Sequence, residues 1–344
     1  MTISVAIATY NRASLVVEAI EAALAQSPPP DEIVVTDDAS TDQTPQVLAE
    51  WAARDPRLRV IRQPTNTGGV PNWNRAMDAA RGDLIAWCSD DDRFLPGHLA
   101  ESAAYLEAHP EVGLVHASFV DSREGLNEGI VNDGLVNERL VTGGSCEREP
   151  RPLRSAEPLA VDRGNRFWYL MRYYDWPFHP STLVMRRQVW EMTGPFDPRY
   201  QLADTDWFVR ATSQFRAVML PRHGVINRRH PGNWSNRMGS ARMQREIFEI
   251  VDRAMREAWP RATLKRGWWR VLWSLNVRLR LALTVRERLR SGHLDAALSS
   301  WEALARHAGR PLPGLISRTG EWVIRHWPGA GRGPVAGGPS VSPL

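Results

Sequence analysis

Two runs of aspartate carry the most pronounced chemistry in this chain. Asp37 and Asp38 follow the apolar stretch of "EIVVTDDASTDQT" (32–44), and Asp90, Asp91 and Asp92 follow that of "DLIAWCSDDDRFLP" (83–96). Neighbouring carboxylates repel each other, and a divalent cation between them relieves that repulsion. Hard cations such as Mg²⁺ and Mn²⁺ favour carboxylate and water oxygens. A metal held by few carboxylates completes its shell with substrate phosphates, so the two clusters together predict a phosphorylated ligand of the nucleotide class. Taken singly, each has a plainer reading: a capped turn for Asp37 to Asp42, and a solvated loop before Pro96 for the triplet.

The elements around them explain how carboxylates fifty residues apart could meet. Apolar runs at Ile3–Thr9, Glu32–Thr36, Leu58–Gln63, Leu84–Ser89 and Val112–Phe119 alternate with segments of helical period. That alternation predicts an α/β fold with a mostly parallel, helix-covered central sheet. In such sheets ligands bind beyond the carboxyl ends of the strands, where both clusters fall. Thr44 followed by Pro45 marks one helix start, and Pro96 opens another that runs to about His109. Residues 120–163 have no sustained period and read as a long loop. Helix and strand resume with "NRFWYLMRYYDWPFHPSTLVMRR" (165–187), and "LADTDWFVRATSQ" (202–214) reads as a helix start. Residues 241–327 form a helical region by pattern, and residues 328–344 have the composition of a disordered tail.

Composition narrows the classes. The 344 residues are 43% hydrophobic and 24% charged, enough for a sizeable core. A net charge of +4 is too mild to argue for nucleic acid. The two cysteines, Cys88 and Cys146, form no zinc spacing and no disulfide framework, in keeping with a cytoplasmic protein. The first residues, "MTISVAIATYNR", read as a strand and not as a leader, and no run approaches the ~18 apolar residues of a spanning helix. The C-terminal region mixes tryptophan, leucine and arginine. That pattern suits helices packed on the rest of the chain, a homodimer surface, or peripheral contact with the inner face of a membrane.

Four segments in order, "VAIATYNR" (5–12), "EIVVTDDASTD" (32–42), "NTGGVPNWNRAMDAARGDLIAWCSDDD" (66–92) and "FDPRYQLADTDWFVRA" (196–211), resemble the motifs of family 2 glycosyltransferases with a GT-A fold. The resemblance covers about residues 3 to 235. It implies a GT-A catalytic domain at 1–240, with a nucleotide-sugar half at 1–119 and an acceptor-side half at 120–240. It further implies inverting transfer from a nucleoside-diphosphate sugar to a hydroxyl or amine of a small-molecule or lipid-linked acceptor, with Mn²⁺ or Mg²⁺.

Carried over by position, Thr9, Tyr10 and Arg12 border the base and phosphates, and Asp38 reads the base. Asn66 and Gly68 line the donor pocket in the segment "NTGGVPNWN", where glycine permits close backbone approach. Asp90 and Asp91 also fall on the donor. Three consecutive aspartates leave the metal register open between Asp91 and Asp92, and the reading favoured here pairs Asp90 with Asp92. His230 of "RRHPGNWS" (228–235) is the third metal-ligand candidate, with a purely structural histidine as its alternative; Arg228 or Arg229 offsets phosphate charge.

Asp204 takes the place of the family's general base, with Arg210 six residues after it, while Ala203 stands where the family usually has glutamate. Asp206 is the alternative base, although a first-turn helix acid is its simpler role. His179 is open to two readings, a lining of the acceptor side or a structural role. Two rivals share these features: a nucleotidyltransferase, against which the chain has no glycine-rich, lysine-bearing loop after its first strand, and a non-catalytic nucleotide-sugar-binding protein of the same fold.

Overall fold

The computed structural model describes residues 1–123, 158–161, 179–230, 233, 246, 249–254 and 256–257. The chain divides into two compact units, Met1–Arg237 and Met238–Leu344. The first is an α/β unit. Its strands are β1 (Ile3–Thr9), β2 (Glu32–Asp37), β3 (Leu58–Arg62), β4 (Leu84–Ser89), β5 (Arg93–Phe94), β6 (Val112–Arg123), β7 (Leu159–Val161), β8 (Val184–Arg186) and β9 (Arg216–Arg229). Its helices are α1 (Ala13–Leu24), α2 (Thr44–Arg54), α3 (Gly69–Ala79), α4 (His98–Ala108), α5 (Arg187–Thr193) and α6 (Ala203–Ala211).

Among the described residues these strands form one sheet in the order β3-β2-β1-β4-β8-β6-β9-β5, with β7 paired to β9. Strands β3, β2, β1 and β4 run parallel, and β8 then lies antiparallel between β4 and β6. Strand β9 is parallel to β6, while β5 and β7 pair with it in the opposite sense.

Strand direction decides which residues share an edge. Thr9 is paired with Asp37 and Ala8 with Ser89, so residues 10–12, 38–42 and 90–92 all leave the sheet at one edge. Strand β9 ends at that same edge. Because β8 runs the other way, the residues that enter it, His179 to Leu183, lie there too.

The alternating side chains of β1 and β4 explain the three layers. Val5, Ile7, Leu84, Ala86 and Cys88 face one core with Val16 and Ile20 of α1, Leu48 of α2 and Leu99 of α4. Ala6, Ala8, Ile85 and Trp87 face the other, with Met77 of α3, Trp190 of α5 and Trp207 and Phe208 of α6. In this second layer Phe196 lies 4.7 Å from Trp87, 5.1 Å from Trp190 and 5.7 Å from Trp207, ring centre to ring centre. Such pairs add about 0.5–1.5 kcal/mol each beyond the area they bury, and they seat α6, whose first turn carries Asp204 and Asp206.

Several boundaries move from their sequence positions for local reasons. Helix α4 begins at His98, because Gly97 takes a left-handed φ of +78° between Pro96 and the helix. Helix α2 already includes Thr44, whose N–H donates to Asp42 Oδ1 at 2.9 Å, so Asp42 supplies the capping oxygen. The 120–163 segment read as loop contributes strand at 120–123 in β6 and at Leu159–Val161 in β7, while Pro158 is irregular. The expected helix of 165–178, the C-terminal helices from 258 onward and the tail at 328–344 lie outside the described residues. Among the described residues no helix is long and apolar enough to cross a membrane.

Candidate functional site

The carboxyl edge of β1 and β2 is laced by short polar bonds. Asn11 adopts a φ of +52°; its N–H donates to Ser40 Oγ at 2.8 Å and its Oδ1 accepts from Thr41 N at 2.7 Å. The loop after β1 is thereby fixed to the loop after β2. Asn72, buried in α3, donates to the carbonyls of Thr9 and Thr36 at 3.2 and 3.1 Å. Sequence reasoning assigned neither asparagine, because each role depends on a group about thirty residues away or more.

Asp38 is 2% exposed and receives three bonds from the segment that begins α3. Thr67 N and Thr67 Oγ1 donate to its Oδ1 at 2.8 and 2.9 Å, and Gly68 N donates to its Oδ2 at 2.8 Å. Gly68 also donates to Asn66 Oδ1 at 3.1 Å, and its φ of +92° suits glycine. The predicted donor-side residues Asp38, Asn66 and Gly68 therefore form one bonded unit. Thr9 is buried beneath it and Tyr10 projects into solvent.

One strand over, the aspartate triplet divides between two directions. Arg12 Nη1 bridges Asp90 Oδ1 at 2.6 Å and Asp91 Oδ2 at 2.8 Å. The same Asp91 oxygen lies 3.1 Å from His230 Nε2 and 3.3 Å from Asn233 Nδ2. Asp92 turns instead into the protein: its Oδ2 accepts from Ser181 Oγ at 2.5 Å and its Oδ1 from Arg228 N at 3.3 Å. Burial raises the carboxyl pKa of Asp90 and of Asp92; Arg12 partly offsets the shift at Asp90, and the neighbouring Asp91 adds to it at both. Arg228 points its guanidinium at Glu18 on α1, so its main chain, and not its charge, meets the triplet.

The donor set suits a hard divalent cation in a particular way. Among the described residues no three His, Cys, Asp or Glu side chains are gathered as a closed metal cage. Asp91 and His230 offer one carboxylate oxygen and one imidazole nitrogen on a common point, the sparse set expected when a ligand's phosphates complete the shell. Asp90 adds negative charge beside them.

Asp204, in the first turn of α6, is only partly covered. Its Oδ1 accepts from Thr205 N at 2.7 Å and from Thr205 Oγ1 at 3.4 Å. Burial pushes its pKa up to about 6, against the lowering effect of those bonds, a value suited to proton abstraction near neutrality. Asp206 is spoken for: Arg210 Nε holds it at 2.9 Å while the same guanidinium bonds the carbonyls of Thr193 and Pro195 at 2.6 Å each. That arrangement locks α6 to the turn before it.

Comparison with known proteins places the frame. Residues 4–141 match the family described as glycosyl transferase family 2. This region belongs to that family. Rv1520 of Mycobacterium tuberculosis is 39% identical to this chain over 233 residues, 66% of this chain and 58% of that one. The chain thus spans under two thirds of its mycobacterial relative. An uncharacterized glycosyltransferase of Bacillus subtilis, YwdF, is 29% identical over 231 residues, 66% of this chain and 74% of that one. Among solved structures, TarS 1–349 of S. aureus in complex with UDP-GlcNAc aligns with a TM-score of 0.59 at 18% identity, covering 94% of this chain and 92% of that one. A mannosyltransferase from Pyrobaculum calidifontis, in complex with GDP-Man and Mn²⁺, aligns at 0.52 and 19% identity, covering 95% and 81%. These structures share the GT-A fold with this chain.

Proposed function

We propose that the protein is an inverting glycosyltransferase that moves a sugar from a nucleoside-diphosphate sugar to a hydroxyl or amine acceptor, with Asp204 as general base. The observation that carries this reading is the meeting of Arg12, Asp90, Asp91 and His230 at the carboxyl edge of the sheet, one strand from the Asp38–Thr67–Gly68 unit. A nucleoside diphosphate needs both halves, one for its base and one for its charge. The ligands of the solved neighbours, UDP-GlcNAc in TarS and GDP-Man with Mn²⁺ in the mannosyltransferase, are of this class.

Asp91 and His230 would hold Mn²⁺ or Mg²⁺, which when bound supplies positive charge to the diphosphate. This departs from the expectation that Asp92 is the ligand, since Asp92 spends both oxygens inside the protein. Asp90 and Arg12 orient the ribose and phosphates, and Asp38 keeps the 66–68 segment against the base. Asp204 accepts the proton of the acceptor as its oxygen or nitrogen forms the new bond to the anomeric carbon. The bond from that carbon to the diphosphate oxygen breaks on the opposite face, and the nucleoside diphosphate leaves with the electron pair.

Calorimetric titration with UDP, GDP, dTDP and CDP, with Mn²⁺ and again with excess EDTA, tests this reading. Tight binding of one nucleotide that vanishes with chelator supports it, and a screen of that nucleotide's sugars for released nucleoside diphosphate then reads turnover. Binding indifferent to metal removes the cation, and release of pyrophosphate instead would make the protein a nucleotidyltransferase.

A further inference from the structure

We infer that Asp92 is a positioning residue: it ties the end of β9 to the aspartate loop and thereby sets His230 against Asp91. The inference rests on the assignment of Asp91 and His230 as the cation pair. Asp92 is 1% exposed where Asp91 is 9%. Its own N–H donates to Ser89 O at 3.1 Å, which folds the triplet back on β4. Ser181 Oγ, 2.5 Å from Asp92 Oδ2, also accepts from Ser89 N and contacts Ser89 Oγ, both at 3.0 Å. His179 Nδ1 stands 3.6 Å from the same Asp92 oxygen. One carboxylate therefore joins the end of β4, the turn entering β8 and the end of β9.

The route from Asp92 to the cation pair is short and continuous. Arg228 N donates to Asp92 Oδ1 at 3.3 Å, and Arg228 O accepts from Asn233 Nδ2 at 2.9 Å. Asn233 Oδ1 in turn accepts from His230 N at 2.5 Å, and its Nδ2 reaches Asp91 Oδ2 at 3.3 Å. The ring of contacts Asp91, Asn233, Arg228, Asp92 closes on adjacent residues of the triplet, and His230 hangs from it. Without the Asp92 bond, the main chain two residues before His230 loses its direct bond to the aspartate loop and keeps only the link through Asn233. Groups that orient a metal's ligands typically cost 10–100-fold in metal affinity when removed.

The substitutions separate positioning from ligation. Asp92→Asn retains an oxygen for Arg228 N, and its amide N–H can donate to Ser181 Oγ with the hydroxyl proton turned to Ser89; Asp92→Ala removes both bonds. Mn²⁺ binding to the full chain, alone and with UDP, GDP, dTDP or CDP, is read by electron paramagnetic resonance. The expected result is Asp92→Asn within about threefold of wild type, Asp92→Ala weaker by about tenfold or more, and Asp91→Asn weakest. Ser181→Ala, which leaves every carboxylate in place, weakens Mn²⁺ binding in the same direction as Asp92→Ala. Asp92→Asn as weak as Asp91→Asn would make Asp92 a ligand and overturn the inference. A metal-free readout stands beside it: the His230 ring resonance, assigned with His230→Gln, shifts in Asp92→Ala and not in Asp92→Asn. An unmoved His230 in Asp92→Ala overturns the positioning role whatever the metal does, whereas wild type that binds no Mn²⁺ under any condition sinks the cation assignment.

Discussion

Replacing Asp204 by Asn separates the two carboxylates at the start of α6. Asp204 has only Thr205 as a hydrogen-bonding neighbour among the described bonds to its side chain, and burial holds its pKa up to about 6. A base must be ionised to act. With a pKa raised to about 6, roughly a tenth of Asp204 is ionised at pH 5 and nearly all of it at pH 7.5, so kcat/KM should fall about tenfold between them. Asp204→Asn removes the proton acceptor while keeping size and the bond from Thr205 N, and should lower kcat by about 10²–10⁴. Nucleoside-diphosphate affinity should stay within about twofold, because the donor contacts lie on β1, β2 and β4. Asp206→Asn is the control: its carboxylate is 2% exposed and held by Arg210, so that variant should lose thermal stability and keep the acid limb near pH 6. The assay is initial-rate release of nucleoside diphosphate from pH 4.5 to 8.5 with the donor identified by titration. An Asp204→Asn enzyme with more than a tenth of wild-type kcat, or a limb that moves only in Asp206→Asn, would refute the assignment.

Three further outcomes follow from buried groups. Asp38→Ala removes the acceptor of Thr67 N and leaves Gly68 N with Asn66 Oδ1 alone, and nucleotide affinity should fall about 10- to 100-fold, in line with the ~1–3 kcal/mol cost of an orphaned donor; unchanged calorimetric affinity would take Asp38 out of the donor pocket. His98 is fully buried, and burial followed by the charge of Arg222 drops its pKa from 6.5 to about 3. The unfolded chain then binds the extra proton between those values, so stability is complete above about pH 6.5 and declines as pH falls, by about 2 kcal/mol at pH 5; urea melts at pH 7 and 5 should show this loss shrink in His98→Leu. Cys88 is buried, with its thiol pKa pushed well up by burial and then by Asp92, Asp91 and Asp90, so mass spectrometry after iodoacetamide at pH 7.5 should find it alkylated only once the protein is unfolded.

The first half of the fold was legible because its strands are covered on both faces and so read as unbroken apolar runs, as in "EIVVTD" and "LIAWCS". Strand β9 was not, since "RAVMLPRHGVINRR" mixes arginines and a proline into its pairing. β5, two residues long, gives no period at all. The site was legible in its residue types and only partly in its roles. Three identical aspartates after a strand carry no sign of which turns outward, and that choice is made by Ser181 and Arg228, 89 and 136 residues away in sequence. Asn233 and Asn11 were hidden for the same reason, whereas Pro45 and Gly68 act through their own backbone preferences and could be read directly.

The antiparallel β8 has a consequence for the order in which the molecule is made. Strands β4 and β6 are both complete by residue 123, yet they are not neighbours: a slot one strand wide separates them, filled by three residues, Val184–Arg186. A nascent chain that has emerged only through β6 therefore carries unpaired strand edges on both sides of that slot, the kind of edge that recruits strands from other chains. Closure waits for a contact between residues about a hundred positions apart, Leu84 with Arg186 and Ala86 with Val184, and such long-range closures are slow. The same arrival brings Ser181 to Asp92, and the carboxylate edge is complete only when β9 follows with Arg228 and His230.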